Sequence, residues 1–369
     1  MTDPLAHLTT HGVAVWLDDL NRRDLDSGEL PSLIDAWKVT GITSNPTIFQ
    51  AAIGDGTGPY AGQLKELRRQ GADVDEALQA LTTEDVRRAC DLLRPTHEAS
   101  GGIEGYVSVE VSPLLAHDIA ATLAEARRLQ QLVDRPNVMI KVPATAEGVH
   151  ALTLLLAEGI SVNMTLLFSL RRYREVIHAF FDGLERAQAE GRPLAPIASV
   201  ASFFVSRVDT AIDADLAKQG GRAQVALQGK AALANARLAY HLYEEEFAAQ
   251  RWQRLRAAGA RPQRPLWAST ATKNPHYSDT RYVTGLLAPG TITTMPRPTL
   301  DAVADHAAFP PEGMRGTYQD SVQVLRQLQA AGITYDEVMA TLEKEGLERF
   351  VDSWTALRAE VHHALQNRP

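Results

Sequence analysis

Val138-Met139-Ile140-Lys141-Val142 is a strand-length run in which one amine interrupts an apolar alternation. Successive side chains of a strand point to opposite faces. Val138, Ile140 and Val142 therefore share one face, and Met139 and Lys141 share the other. Only seven of the 37 Lys and Arg residues are lysine, so a lysine set into an apolar strand is not there by default. The same division recurs on either side of this run. In Tyr106-Val107-Ser108-Val109-Glu110-Val111 the three valines face one way, and Ser108 and Glu110 the other. In Val13-Ala14-Val15-Trp16-Leu17-Asp18, Asp18 shares its face with Ala14 and Trp16. Thr43 and Asn45 share a face, as do Asn163 and Thr165, and Val200, Ser202 and Phe204.

Eight strand-like runs occur along the chain: Val13–Leu17, Gly41–Asn45, Tyr106–Val111, Val138–Val142, Ile160–Leu166, Ile197–Phe204, Leu266–Thr270 and Thr291–Met295. Helix-type stretches separate them, among them Ala116–Leu132, Gly148–Glu158, Leu170–Ala189, Val225–Arg256 and Tyr277–Leu287. Strands alternating with helices imply a parallel sheet with crossover helices. Eight such units predict an α/β fold, a single (β/α)8 TIM barrel over residues 1–369. An open doubly wound sheet would carry a Gly-rich turn after its first strand, and Leu17-Asp18-Asp19-Leu20-Asn21 is not one. Additional helices are expected as insertions near 50–103 (Pro59–Arg69 and Val74–Leu93) and near 215–262. The latter reads as one long helix from Arg222 to about Ala258, ended by Gly259 and the breakers Pro262 and Pro265. Three more helices, Gln319–Ala330, Tyr335–Glu345 and Leu347–Leu365, are expected within the C-terminal segment 300–369.

Composition narrows the class. Of 369 residues 45% are hydrophobic and 22% charged, enough for a large core and against general disorder. A net charge of -8 argues against a nucleic-acid footprint spread over the surface. The single cysteine, Cys90, removes a disulfide framework and a thiolate metal cluster. No apolar run approaches the length of about 18 residues expected of a membrane span, and the start lacks the pattern of a secretory signal. A cytoplasmic protein, monomer or homodimer, is expected.

If the apolar faces pack on the helices, the other faces point down the barrel axis. Asp18, Asn45, Glu110, Lys141, Asn163, Thr165 and Ser202 then converge at the C-terminal mouth, where barrel enzymes keep their active sites. Each residue has a plainer reading when taken alone. Asp18 can cap the segment after the first strand, Glu110 and Lys141 can form a structural ion pair, and Asn163, Thr165 and Ser202 can satisfy loop backbone. Their common parity across several strands favours a site. A lysine buried among Met139, Ile140 and Val142 is expected to have its pKa lowered by desolvation. A neutral amine attacks carbonyls to form a Schiff base, and nearby carboxylates can relay protons. The cluster contains no His, and the chain has no Gly-x-Ser-x-Gly elbow, which disfavours zinc and serine-hydrolase chemistry. Arg207 and Lys273, after the sixth and seventh runs, can hold a phosphate at the mouth. The plainer readings are an Arg207–Asp209 surface pair and a solvated Lys273.

These residues lie in segments that resemble the transaldolase family, in its longer bacterial branch. The segments are Trp16-Leu17-Asp18-Asp19-Leu20, Gly41-Ile42-Thr43-Ser44-Asn45-Pro46-Thr47-Ile48-Phe49, Val107-Ser108-Val109-Glu110-Val111 and Ile140-Lys141-Val142-Pro143-Ala144-Thr145. They continue with Asn163-Met164-Thr165-Leu166-Leu167-Phe168-Ser169, Ser202-Phe203-Phe204-Val205-Ser206-Arg207 and Leu266-Trp267-Ala268-Ser269-Thr270. The resemblance implies a (β/α)8 barrel that transfers a dihydroxyacetone unit between sugar phosphates, from sedoheptulose 7-phosphate to glyceraldehyde 3-phosphate, with no cofactor and no metal. It implies Lys141 as the Schiff-base lysine, Asp18 as the acid/base at the donor C4 hydroxyl, and Glu110 with Thr165 as holders of the catalytic water. Thr43, Asn45, Asn163 and Ser202 would bind substrate hydroxyls, and Arg207 the phosphate. Lys273 falls where the family often has Arg, and Ser44 where many relatives have Thr. Phe204 would place an apolar ring near the water site and slow hydrolysis of the enamine. The alternative is a class I aldolase releasing free dihydroxyacetone, whose members typically carry Gln and Tyr where this chain has Glu110 and Phe204.

Overall fold

The computed structural model describes residues 3–54, 58–310 and 313–366. Eight parallel strands close into a barrel in sequence order. They are β1 (Val13–Leu17), β2 (Val39–Thr43), β3 (Tyr106–Glu110), β4 (Val138–Pro143), β5 (Val162–Leu167), β6 (Ser199–Phe204), β7 (Arg264–Ala268) and β8 (Thr291–Met295). Helices surround this parallel barrel, as expected of a (β/α)8 fold. No described helix is long and apolar enough to cross a membrane.

The pairing register carries the parity read from the sequence around the whole barrel. Trp16 pairs with Gly41 and Thr294, Thr43 with Ser108, Glu110 with Lys141, Lys141 with Asn163, and Asn163 with Val200. The residues of one face thus meet around a common axis. Towards the N-terminal end this face is closed by Trp16 and by an ion pair, Arg264 Nη1 to Glu104 Oε1 at 2.6 Å. Thr40 donates to the other oxygen of Glu104 at 3.0 Å. The Trp16 ring occupies the space a side chain at 41 would need: a Cβ there would stand 2.2 Å from Trp16 Cε2. Glycine at 41 is therefore a steric requirement of the filled barrel.

Several elements differ from their sequence reading. The long helix expected from Arg222 to Ala258 is three helices, Arg222–Leu227, Ala231–Ala248 and Gln250–Ala257. The first break falls at Gly229, whose φ is +70°. There Asp213 Oδ1 accepts from Gly229 N at 2.8 Å and Asp209 Oδ1 from Ala232 N at 2.7 Å. These carboxylates, from the helix Ser206–Gln219, cap the new N-terminus. The second break, at Ala249, turns the chain so that Phe247 and Trp252 meet edge to face at 4.8 Å. Of the stretch Tyr277–Leu287 only Arg281–Thr284 is helical.

The two C-terminal helices expected on either side of Gly346 are a single helix, Tyr335–Gln366. Gly346 is a point of close approach rather than a break. A Cβ at 346 would lie 3.0 Å from Leu166 Cδ2 and 3.6 Å from Phe168 Cε2, at the end of β5. This helix buries Met339, Leu342, Gly346, Phe350, Leu357 and Val361, a stripe with the three- and four-residue spacing of one helical face. It packs against the helices Pro46–Ile53 and Val74–Ala99, and so crosses the C-terminal mouth of the barrel.

Candidate active site

Lys141 lies mid-strand in β4 between Ile140 and Val142, both fully buried. Its register partner Glu110 brings a carboxylate oxygen to 3.0 Å from Nζ, with the two side chains only 4% and 3% exposed. The ammonium also donates to the Ser44 carbonyl at 3.0 Å. That carbonyl is held in turn, because Ser44 Oγ donates to the Ser108 carbonyl at 2.7 Å. Burial pushes the Glu110 carboxyl above the usual carboxylate range, and Lys141 pulls it back.

Asp18 follows β1 directly. Its Oδ1 accepts from Thr43 Oγ1 at 2.6 Å. The single Thr43 proton is thereby committed, so Thr294 donates to Thr43 across 2.8 Å. Burial raises the Asp18 carboxyl, against the opposing pull of Lys141, Thr43 and Arg207. Asp18 does not cap the segment after β1. Asn21 does, accepting from Asp24 N at 2.9 Å. Asn45 caps the helix Pro46–Ile53 by accepting from Ile48 N at 3.0 Å.

Asn163 and Ser202 pair with each other. Ser202 Oγ donates to Asn163 Oδ1 at 2.7 Å, and Asn163 Nδ2 donates to Ser108 Oγ at 3.0 Å. Thr165 Oγ1 and Glu110 Oε1 are buried without a hydrogen-bond partner among the described residues, as is Nη1 of Arg207. The Arg207 guanidinium sits 5.4 Å from the Phe204 ring centre. Arg207 does not pair with Asp209, which instead accepts from Ala232 N and from Tyr282 OH at 2.8 Å. Lys273 is exposed in its loop.

A cavity of about 260 Å³ opens onto this constellation. Asp18, Thr43, Asn45, Lys141, Thr165, Ser202, Phe204, Arg207 and Lys273 all line it. Glu110 and Asn163 stand behind its wall, reaching it through Lys141 and Ser202. Every residue singled out in the sequence is thus at the cavity or one contact from it. Four further participants were not singled out. For Thr294 parity gave a signal, since it pairs with inward-facing Trp16, whereas Ser44 stands at the opposite parity to Thr43 and Asn45 and contributes through its backbone carbonyl. Ser108 was recognised as inward but given no role. Phe350 carried no signal at all: it arrives from the C-terminal helix, with its ring centre 5.5 Å from Lys141 Nζ.

Chemically, the arrangement offers a buried amine, two carboxyls raised by desolvation, a set of hydroxyls and amides, and two cations at the rim. Among the described residues no group of His, Cys, Asp and Glu is placed to hold a metal ion. Comparison with known proteins places the chain in a family. The family model described as transaldolase/fructose-6-phosphate aldolase matches residues 15–361. A transaldolase of Acidothermus cellulolyticus is 57% identical over 366 residues, covering 99% of this chain and 98% of that protein. A transaldolase of Thermobifida fusca is 54% identical over 365 residues, covering 99% of each. One of Mycolicibacterium smegmatis is 53% identical over 353 residues, covering 96% of this chain and 95% of its own. With a matched span that runs from β1 into the C-terminal helix, the chain belongs to the transaldolase/fructose-6-phosphate aldolase family.

Proposed function

We propose that the chain is a transaldolase, moving a dihydroxyacetone unit from a ketose phosphate such as sedoheptulose 7-phosphate to an aldose phosphate such as glyceraldehyde 3-phosphate. The observation that carries this reading is the buried Lys141 amine, 3.0 Å from Glu110 and on one cavity with Asp18 and Arg207. Lys141 Nζ, its proton passed to Glu110, attacks the ketose carbonyl carbon. The carbinolamine loses water, and the leaving hydroxyl takes its proton from the Glu110 carboxyl. The otherwise unpartnered Thr165 Oγ1 and Glu110 Oε1 suit the holding of that water between them. Asp18 then takes the proton from the C4 hydroxyl, the C3–C4 bond breaks, and the first aldose leaves. The enamine that remains on Lys141 adds to the second aldehyde, whose oxygen recovers the proton from Asp18, and addition of water to the new Schiff base, the reverse of its formation, frees the ketose and Lys141.

Asn45, Ser202 and Thr43 orient the hydroxyls of the bound unit, and Asn163 acts on them through Ser202. Arg207, with one nitrogen free of protein partners, takes the phosphate and Lys273 assists at the rim. Phe204 and Glu110 favour transfer over release of free dihydroxyacetone, since an apolar ring at the cavity leaves no phenol to activate water. Incubation with fructose 6-phosphate and borohydride tests the reading, with one ketose-derived mass expected on Lys141. Turnover of fructose 6-phosphate is expected to require erythrose 4-phosphate. An unmodified Lys141, or turnover indifferent to the acceptor, would overturn it.

A further inference from the structure

The mouth of the barrel is covered by a residue that lies 209 positions beyond the lysine in the chain. Phe350 is 3% exposed, lines the active cavity, and holds its ring centre 5.5 Å from Lys141 Nζ. Its place is fixed by the helix that carries it. One turn earlier, Gly346 lets the helix lie against Leu166, and a Cβ at 346 would also stand 3.5 Å from Arg207 Nη1. One turn later, Ser353 Oγ meets Thr47 Oγ1 at 2.8 Å, and Thr47 follows directly after Asn45 and Pro46. The far half is tied by an ion pair between Arg358 and Asp75. The ring is therefore held over the amine by contacts on both sides of it, on a rigid element.

We propose that Phe350 is a specificity-determining residue that sets the fate of the Lys141-bound enamine, shielding it from solvent so that an aldehyde, not a solvent proton, is captured by the enamine carbon. The inference rests on the Schiff-base reading above. Two outcomes compete for one intermediate. In transfer, the enamine carbon forms a C–C bond to the aldehyde carbon, the carbonyl electron pair moves to oxygen, Asp18 supplies its proton, and water then hydrolyses the new Schiff base at C2 to free the product and Lys141. In release, the enamine carbon takes a proton, and a water oxygen bonds to C2 and loses a proton. The C2–N bond then breaks, its electron pair taking a proton at Nζ while the C2 hydroxyl gives one up to become the carbonyl, and free dihydroxyacetone departs. Release needs a solvent proton to reach the enamine carbon, two bonds from Nζ, before an aldehyde does, and the Phe350 ring stands 5.5 Å from Nζ on the same cavity. Excluding water from a reactive intermediate is a recognised way to suppress its hydrolysis.

The experiment uses the full chain with Phe350→Ala and Phe350→Leu. Dihydroxyacetone released from fructose 6-phosphate without acceptor is measured beside turnover with erythrose 4-phosphate. In Phe350→Ala the ratio of release to transfer is expected to rise about tenfold, the change made by lowering one barrier about 1.4 kcal/mol relative to the other. Phe350→Leu, which keeps an apolar cover, is expected to fall between it and the parent. A purely structural residue would lower both rates together, and an unchanged ratio in the variants that fold overturns the proposal. Borohydride trapping on Lys141 separates the two readings. If the parent forms no adduct, the Schiff-base reading fails. If parent and variants all form it while the ratio stays fixed, only the role of Phe350 fails.

Discussion

The Lys141–Glu110 pair can be read as chemistry or as architecture, and a double-mutant cycle separates the two. The variants are Lys141→Met, which keeps most of the volume, Glu110→Gln, and both together. Removing one partner of a pair this buried leaves an uncompensated charge, at a cost of about 3–5 kcal/mol. The lower end applies to Lys141→Met, because burial already raises the Glu110 carboxyl and it sheds its charge by taking a proton. Glu110→Gln leaves the ammonium neutral acceptors only, the amide oxygen at 110 and the Ser44 carbonyl, and the loss of its counter-charge is expected to cost about 3 kcal/mol or somewhat more. The double variant carries no charge at either 141 or 110 and is expected to be no less stable than either single one, a coupling of about 3 kcal/mol. Denaturant unfolding at neutral pH measures these differences against a total of about 5–15 kcal/mol. Acceptor-dependent turnover is measured on the same samples and is expected to vanish whenever Lys141 is absent, including in the double variant that regains stability. Additive stability losses would refute the buried pair. Turnover surviving Lys141→Met would refute the nucleophile.

Arg207→Ala removes the guanidinium that, among the described residues, lines the cavity with a nitrogen lacking a hydrogen-bond partner. Losing a charged hydrogen bond of about 1.5–3 kcal/mol predicts a roughly 10- to 100-fold fall in kcat/KM for phosphorylated ketoses, with little change for an unphosphorylated one. Equal losses on both substrates would exclude phosphate binding. Asp18 must be ionised to take the C4 hydroxyl proton, and burial raises its carboxyl. The acid limb of the kcat/KM profile is therefore expected above the ordinary aspartate value of about 4, and Asp18→Asn should abolish turnover at every pH. A limb at or below that value contradicts the assignment. Gly41→Ala drives a methyl to 2.2 Å from the Trp16 ring. A loss of about 3 kcal/mol is expected from overpacking, read as a lower denaturation midpoint at unchanged slope, and wild-type stability would mean that Trp16 does not fill the barrel as described.

The inward face of the barrel was legible because strand periodicity is local. Once Lys141 and Glu110 each stand opposite a valine face, the pairing of neighbouring strands in register brings them together with no further information. The same reasoning located Asp18, Asn163, Thr165 and Ser202. It did not show that Asn163 and Ser202 satisfy each other, nor that Asn45 and not Asp18 spends an oxygen on a helix cap. Those outcomes depend on distances of a few tenths of an ångström, which no pattern encodes. The helix expected over Val225–Arg256 failed for another reason. Its breaks are stabilised by Asp209 and Asp213 from a different helix and by aromatic packing around Trp252, so local propensity was overridden by contacts made in the fold.

The sequence alone determined the barrel, the lysine and the parity that gathers polar side chains at one mouth, because a period of two and the order of strands are properties of short segments. Only the tertiary structure decided what closes that mouth. The stripe from Met339 to Val361 announces an amphipathic helix but does not name the surface it will cover. That surface is assembled from β5, the helix after β2 and the helix before β3, which are brought together only when the barrel shuts. Phe350 reaches Lys141 through that docking, across a separation in sequence that no local signal spans.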